Sequence, residues 1–201
     1  MTTMTFVASP FVENFVSTAE SEQLFDYLDR CRKVQAGPSV SLSFENAQTL
    51  SFRVQEVQKL RRAYPLATIQ RMLGFYASLL PSAERLCAAV SVRRPGARPT
   101  PGLNGLGAAV IEGVISLKLG SQIVIGEVMP TRATDRTLGP AFWVSFPLDA
   151  AARAALQDFP CAASIGIIAD GYAWESERLS FEVRRSLADD LRPHFQSDLF
   201  S

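Results

Sequence analysis

The chain has 201 residues, 47% hydrophobic and 20% charged, with 20 basic side chains against 20 acidic ones. That length suits one domain able to bury its own core without disulfides. Zero net charge removes the concentrated positive field that phosphate binding needs, and low hydrophobicity with high charge, the signature of disorder, is absent. No apolar run approaches the roughly 20 residues that cross a bilayer, so neither nucleic acid nor a membrane is expected as a partner. Residues 1–16 carry no Lys or Arg ahead of their apolar positions, and Pro10, Glu13 and Asn14 interrupt them, unlike a secretory signal. Cys31, Cys87 and Cys161 are odd in number, far apart and without a CxxC pair. A reducing, cytoplasmic setting fits that usage.

Along the chain, Ser9-Pro10 opens a first helix with Phe11, Val12, Phe15 and Val16 on one face. Ser21 is placed to cap a second, whose stripe is Leu24, Phe25, Leu28 and Cys31, with Gly37-Pro38 closing it. Val40 to Phe44 alternates apolar residues with serine, the period of a half-buried strand. Leu50, Val54, Val57 and Tyr64 recur at helical spacing with a charged outer face. Pro65 then starts a helix bearing Ile69, Met72, Leu73 and Tyr76. Leu86 to Val92 reads as a strand. Residues 93–107, RRPGARPTPGLNGLG, hold three prolines and four glycines and read as a loop. Ile115, Leu117 and Leu119 form a strand that turns at Gly120-Ser121 into Ile123 to Ile125. Ala141 to Phe146 and Cys161 to Ile168 are further strands, separated by a short Ala-rich helix from Asp149 to Leu156. Phe181 to Leu191 closes the chain as a helix before Pro193.

Helices and strands without regular βα alternation favour an α+β class. The expected arrangement is a helical N-terminal half packed on a mostly antiparallel sheet, with a C-terminal helix. A single domain over 1–201 is expected, loop 93–107 being the one internal boundary.

Two stretches resemble a family. Phe44-Glu45-Asn46 is followed by Thr49 and then by Gln55-Glu56 on a helix. Later come Asp135-Arg136-Thr137, Phe146-Pro147-Leu148, Gly166-Ile167, Tyr172 and a final SLADDL. Together they resemble an uncharacterised bacterial domain-of-unknown-function family, often encoded beside rubrerythrin-type diiron proteins and an iron–sulfur oxidoreductase. The family pattern carries a His and an Arg where this chain has Phe142 and Ser145, and a His-Pro pair where it has Asp170-Gly171. The resemblance implies an iron or redox neighbourhood but transfers no catalytic residue.

Candidate chemistry is sparse. The lone His194 and three scattered cysteines do not make a transition-metal site, and no GxSxG elbow accompanies them. Glu45 and Glu56 would stand about 16 Å apart on one helix, too far to share a proton. Glu45-Asn46 reads better as a helix cap, with Arg53 and Glu56 as a surface pair. The glycines of 102–107 lack the GxGxxG spacing of a phosphate cradle. The bases around Cys31 (Arg30, Arg32 and Lys33) favour a lowered thiol pKa, although a packed thiol is the simpler reading.

Two classes of function follow. The first is a non-catalytic accessory subunit that binds a protein or peptide, an exposed strand edge accepting the peptide as an added strand. Its expected contacts are Arg93, Arg94, Arg98 and Asn104 in the long loop and Phe195, Leu199 and Phe200 in the apolar tail. No cofactor is expected on this chain alone; iron would sit in the partner, a non-haem iron protein. The role would be like that of the leader-peptide-binding partner of an iron enzyme making copper-chelating peptides. The second is a small enzyme or ligand-binding domain using Glu45, Glu56 and Arg61 around the 93–107 loop.

Overall fold

The computed structural model describes residues 18–59, 64–92, 105–130 and 142–192. Helix α1 (Thr18–Cys31) starts ahead of Ser21, so the expected cap lies inside the helix. It runs almost directly into a strand, β1 (Lys33–Ala36), in which Val34 and Ala36 are buried and Lys33 and Gln35 exposed. Gly37-Pro38 therefore turns a hairpin into β2 (Val40–Phe44) rather than closing a helix. The serine alternation of β2 puts Val40, Leu42 and Phe44 wholly inside.

Asn46 caps α2 (Ala47–Lys59), and Pro65 precedes α3 (Leu66–Ala77). Strand β3 (Arg85–Val92) follows. The glycines at the end of the predicted loop are already helical, in α4 (Gly105–Glu112). The expected hairpin is present as β4 (Val114–Leu119) and β5 (Gln122–Ile125). Two more residues make β6 (Glu127–Val128), then β7 (Phe142–Pro147). Helix α5 (Ala150–Gln157) is capped by Asp149, whose side chain accepts from the Ala152 amide at 2.7 Å. β8 (Ala163–Ala169), β9 (Tyr172–Glu175) and α6 (Phe181–Asp190) complete the described elements.

The class is α+β, and every strand pair among the described residues is antiparallel. One sheet has the order β1-β2-β3-β7-β6, the other β5-β4-β8-β9. Their inner faces meet through residues such as Leu42, Phe44, Val144 and Phe146 on one side and Leu117, Ile165 and Ile167 on the other. The first sheet is apolar on its second face too, where Cys87, Ala89 and Trp143 lie against Leu50 and Val54 of α2 and Met72 and Tyr76 of α3.

Gly126 is the hinge between the sheets. β5 belongs to one sheet and β6 to the other, so the chain changes sheets within three residues. A Cβ at Gly126 would stand 3.0 Å from the Phe146 ring and 3.1 Å from the Ile115 carbonyl, and the Gly126 amide donates to that carbonyl at 2.7 Å. Such corner strands join packed sheets on one side. The opposite side holds two terminal strands, β1 and β9, each paired to one neighbour among the described residues.

Candidate functional site

The Phe44-Glu45-Asn46 motif sits where β2 passes into α2. Phe44 points into the core, at 6.0 Å from Phe146 between ring centres. Asn46 and Thr49 cap the helix reciprocally: the Asn46 side chain accepts from the Thr49 amide at 3.0 Å, and the Thr49 hydroxyl accepts from the Asn46 amide at 2.9 Å. This arrangement satisfies two donors that a helix start would otherwise leave open. Glu45 is 1% exposed, and its carboxylate accepts from Thr49 Oγ1 at 2.6 Å, Arg53 Nε at 2.8 Å and Trp143 Nε1 at 3.1 Å. Arg53 thus reaches back to Glu45 rather than standing on the helix surface. Gln55 is half-buried on α2, and the side chain of Glu56 falls outside the described residues.

A second polar set joins the turn after α1 to the end of α6. Arg32, 1% exposed, makes a bidentate pair with Asp190 at the end of α6 and donates to the Tyr27 hydroxyl at 3.1 Å. Asn46 donates to the same hydroxyl at 3.3 Å, linking this set to the cap. Burial opposes the charge on Arg32, yet the bonds and charge of Asp190 and Tyr27 hold its pKa above the ordinary value. Of the other bases flanking Cys31, Lys33 pairs with Asp29 at 2.9 Å and Arg30 donates to the Asp26 carbonyl.

Both sets are saturated and face inward. The open chemistry lies at the seam between β1 and β9. In the β1–β2 ladder the Phe44 amide donates to the Arg32 carbonyl, which fixes the phase of the pairing. Val34 and Ala36 then bond to β2, while the N–H and C=O of Lys33 and Gln35 turn away from it. In the β8–β9 ladder the Ser176 amide donates to the Ile165 carbonyl, so Ala173 and Glu175 turn their backbone groups away from β8. A cleft of about 500 Å³ lies here, and its lining includes Lys33, Gln35, Trp174, Glu175, Leu179 and Val183.

The seam is closed at one end. The Tyr172 hydroxyl donates to the Ala36 carbonyl at 2.6 Å. Gly37 fits beneath it in the left-handed region, at φ +79°, where a Cβ would stand 2.4 Å from that hydroxyl and 2.6 Å from the Trp174 ring. Trp174 is 49% exposed, whereas Trp143 is wholly buried. Bonds from Lys118 at 2.6 Å and Ser164 at 2.5 Å hold the Glu175 carboxyl below its usual range.

Both anticipated contact regions, Arg93, Arg94, Arg98 and Asn104 in the loop and Phe195, Leu199 and Phe200 in the tail, lie outside the described residues, as do Arg61, His194 and the Asp135 triplet. Among the described residues no three His, Cys, Asp or Glu side chains stand together as metal ligands, and no helix is long and apolar enough to cross a membrane. The three cysteines are free thiols.

Residues 21–191 match the family described as "Protein of unknown function (DUF3501)". The chain belongs to that DUF3501 family. A crystal structure titled as a novel protein of unknown function from Burkholderia pseudomallei K96243 is similar, with a TM-score of 0.68 at 22% identity over 87% of this chain and 90% of that one. At such identity the likeness shows the fold alone. No curated protein matches. Where the DUF3501 pattern is expected to carry His and Arg, Phe142 is buried in the core and Ser145 is buried beside Cys87, its ladder partner. The Asp170-Gly171 pair precedes the tyrosine that closes the seam.

Proposed function

We propose that this DUF3501 protein is an accessory subunit that holds an extended segment of another polypeptide as an added strand in the β1–β9 seam. The observation that carries the reading is the cleft between two strands that each turn backbone donors and acceptors outward, at Lys33 and Gln35 and at Ala173 and Glu175. An edge left unpaired by the described residues is a template for strand addition, with main-chain bonds supplying affinity and the flanking pockets selectivity. By the resemblance, the companion is a non-haem iron protein that carries the metal, in a redox or peptide-modification system. The alternative of a carboxylate enzyme draws less support, because both oxygens of Glu45 are engaged by Thr49, Arg53 and Trp143.

The test is purification of the tagged full chain from its native cells, with mass spectrometry and metal analysis of the eluate. The proposal expects one co-purifying polypeptide near equal stoichiometry, with iron only when that polypeptide is present. Elution of the chain alone, or stoichiometric iron on the chain by itself, contradicts it.

A further inference from the structure

The geometry of β1 points to the sequence character of the segment it would hold: an uncharged run with one apolar anchor between two hydrogen-bonding residues. This inference rests on the strand-addition reading and adds a specificity to it. A strand laid on the free edge of β1 bonds to the backbone of Lys33 and Gln35, so the residues facing those two have side chains on the same, outer face of the sheet. The residue between them faces Val34 and points inward. Inward lies an apolar floor made by Val34, Leu179 and Val183, each nearly buried in the free chain. A polar side chain set against these three would exchange water for apolar contact.

Outward the surroundings are polar. Gln35 donates to the Gly37 carbonyl at 2.6 Å, which leaves its own amide oxygen as an acceptor for the facing residue. Beyond lies a second cleft of about 360 Å³ over β1 and β2, walled by Ser41, Ser43 and Ser91 and sharing Lys33 and Gln35 with the seam.

Charge points in the same sense. The seam is lined by three acids, Asp29, Glu175 and Glu177, and three bases, Arg30, Lys33 and Arg178. Lys33 is matched by Asp29, and Glu175 by Lys118. With acids and bases balanced, no net field draws an occupant of either sign, and beside the two strand edges Lys33 and Glu175 are already paired. The length is limited too, because β1 is four residues long and Tyr172 closes the seam at Ala36.

A phage library displaying random heptapeptides, selected on the immobilised full chain, reads this out. The variant Gln35→Pro removes the outward N–H without touching a bond to β2, and strand geometry tolerates proline at an edge. Enriched peptides should share the polar–apolar–polar triplet, lack charge within it, and bind Gln35→Pro about tenfold more weakly. Gln35→Ala keeps the N–H and should relax only the choice at the facing position, which decides the matter if the proline variant does not fold. Enrichment that depends on Gln35 but shows charged residues or no apolar anchor overturns the specificity and leaves the seam reading standing. No enrichment, or binding indifferent to both variants, overturns the seam reading and this inference together.

Discussion

Removing the Glu45 carboxylate tests whether the Phe-Glu-Asn motif is a structural lock. In Glu45→Ala three donors lose one charged acceptor. The Arg53 side chain is 20% exposed and can turn to water, so its loss counts least. Trp143 is 0% exposed and has no such exit. A donor left dry in that way costs about 1–3 kcal/mol, and the charge-assisted bond from Thr49 adds about 1.5–3 kcal/mol. A total of about 3–5 kcal/mol agrees with the general cost of breaking a buried pair from one side. Glu45→Gln keeps the volume and one carbonyl oxygen for Trp143, so its cost is smaller, about 1–2 kcal/mol. In equilibrium urea unfolding, with a slope of about 2 kcal/mol per molar, the midpoint should fall by roughly 1.5–2.5 M for alanine and roughly 0.5–1 M for glutamine. An alanine variant within about 0.3 M of the parent, or two variants that shift equally, would refute the lock.

Two further perturbations follow from the same packing. Gly37→Ala puts a Cβ into the left-handed region and against Tyr172 and Trp174, so it should cost more than about 2 kcal/mol and lower the melting temperature by roughly 4–8 °C. Trp174 fluorescence should report the disturbance locally; unchanged melting and emission would show that the turn does not bear on β9. Burial pushes the Cys87 thiol up, against the charge of Arg85 and the bond with Ser145. Its share of stability is therefore full below the ordinary thiol pKa and fades as pH rises through the raised folded value. Alkylation followed by mass spectrometry near pH 8 should label Cys87 only as fast as the chain unfolds, and labelling at the rate of the half-buried Cys31 would contradict this.

Elements with two-sided packing or a strong cap are legible in the sequence. The serine alternation of β2 and the Asp149 cap of α5 are examples, since each is a local signal with a local cause. Strands β1 and β9 escape the sequence reading for different reasons. β9 is announced by Asp170-Gly171, a two-residue hairpin turn after β8 that outweighs its short length; β1 offers only two buried positions, Val34 and Ala36. β1 also follows α1 after a single residue, without the glycine or proline that marks a boundary. An element that leaves an edge open needs less burial, so the seam is the part of the fold that hydrophobic pattern shows least. Long-range polar pairs are equally silent: Arg32 and Asp190 are 158 residues apart, and Glu45 meets Arg53 at a spacing of eight that no single helix face predicts. The helix cap within Asn46 and Thr49 was open to reading because its donors and acceptors are three residues apart.

Amide hydrogen exchange across β1 tests strand addition most directly. In the free chain the phase of the β1–β2 ladder requires slow exchange at Val34 and Ala36 and fast exchange at Lys33 and Gln35. Addition of the co-purifying polypeptide should slow Lys33 and Gln35 and leave Val34 and Ala36 as they were. Exchange at Lys33 and Gln35 that stays fast in the complex would contradict the account, because the partner would then be held somewhere other than the seam.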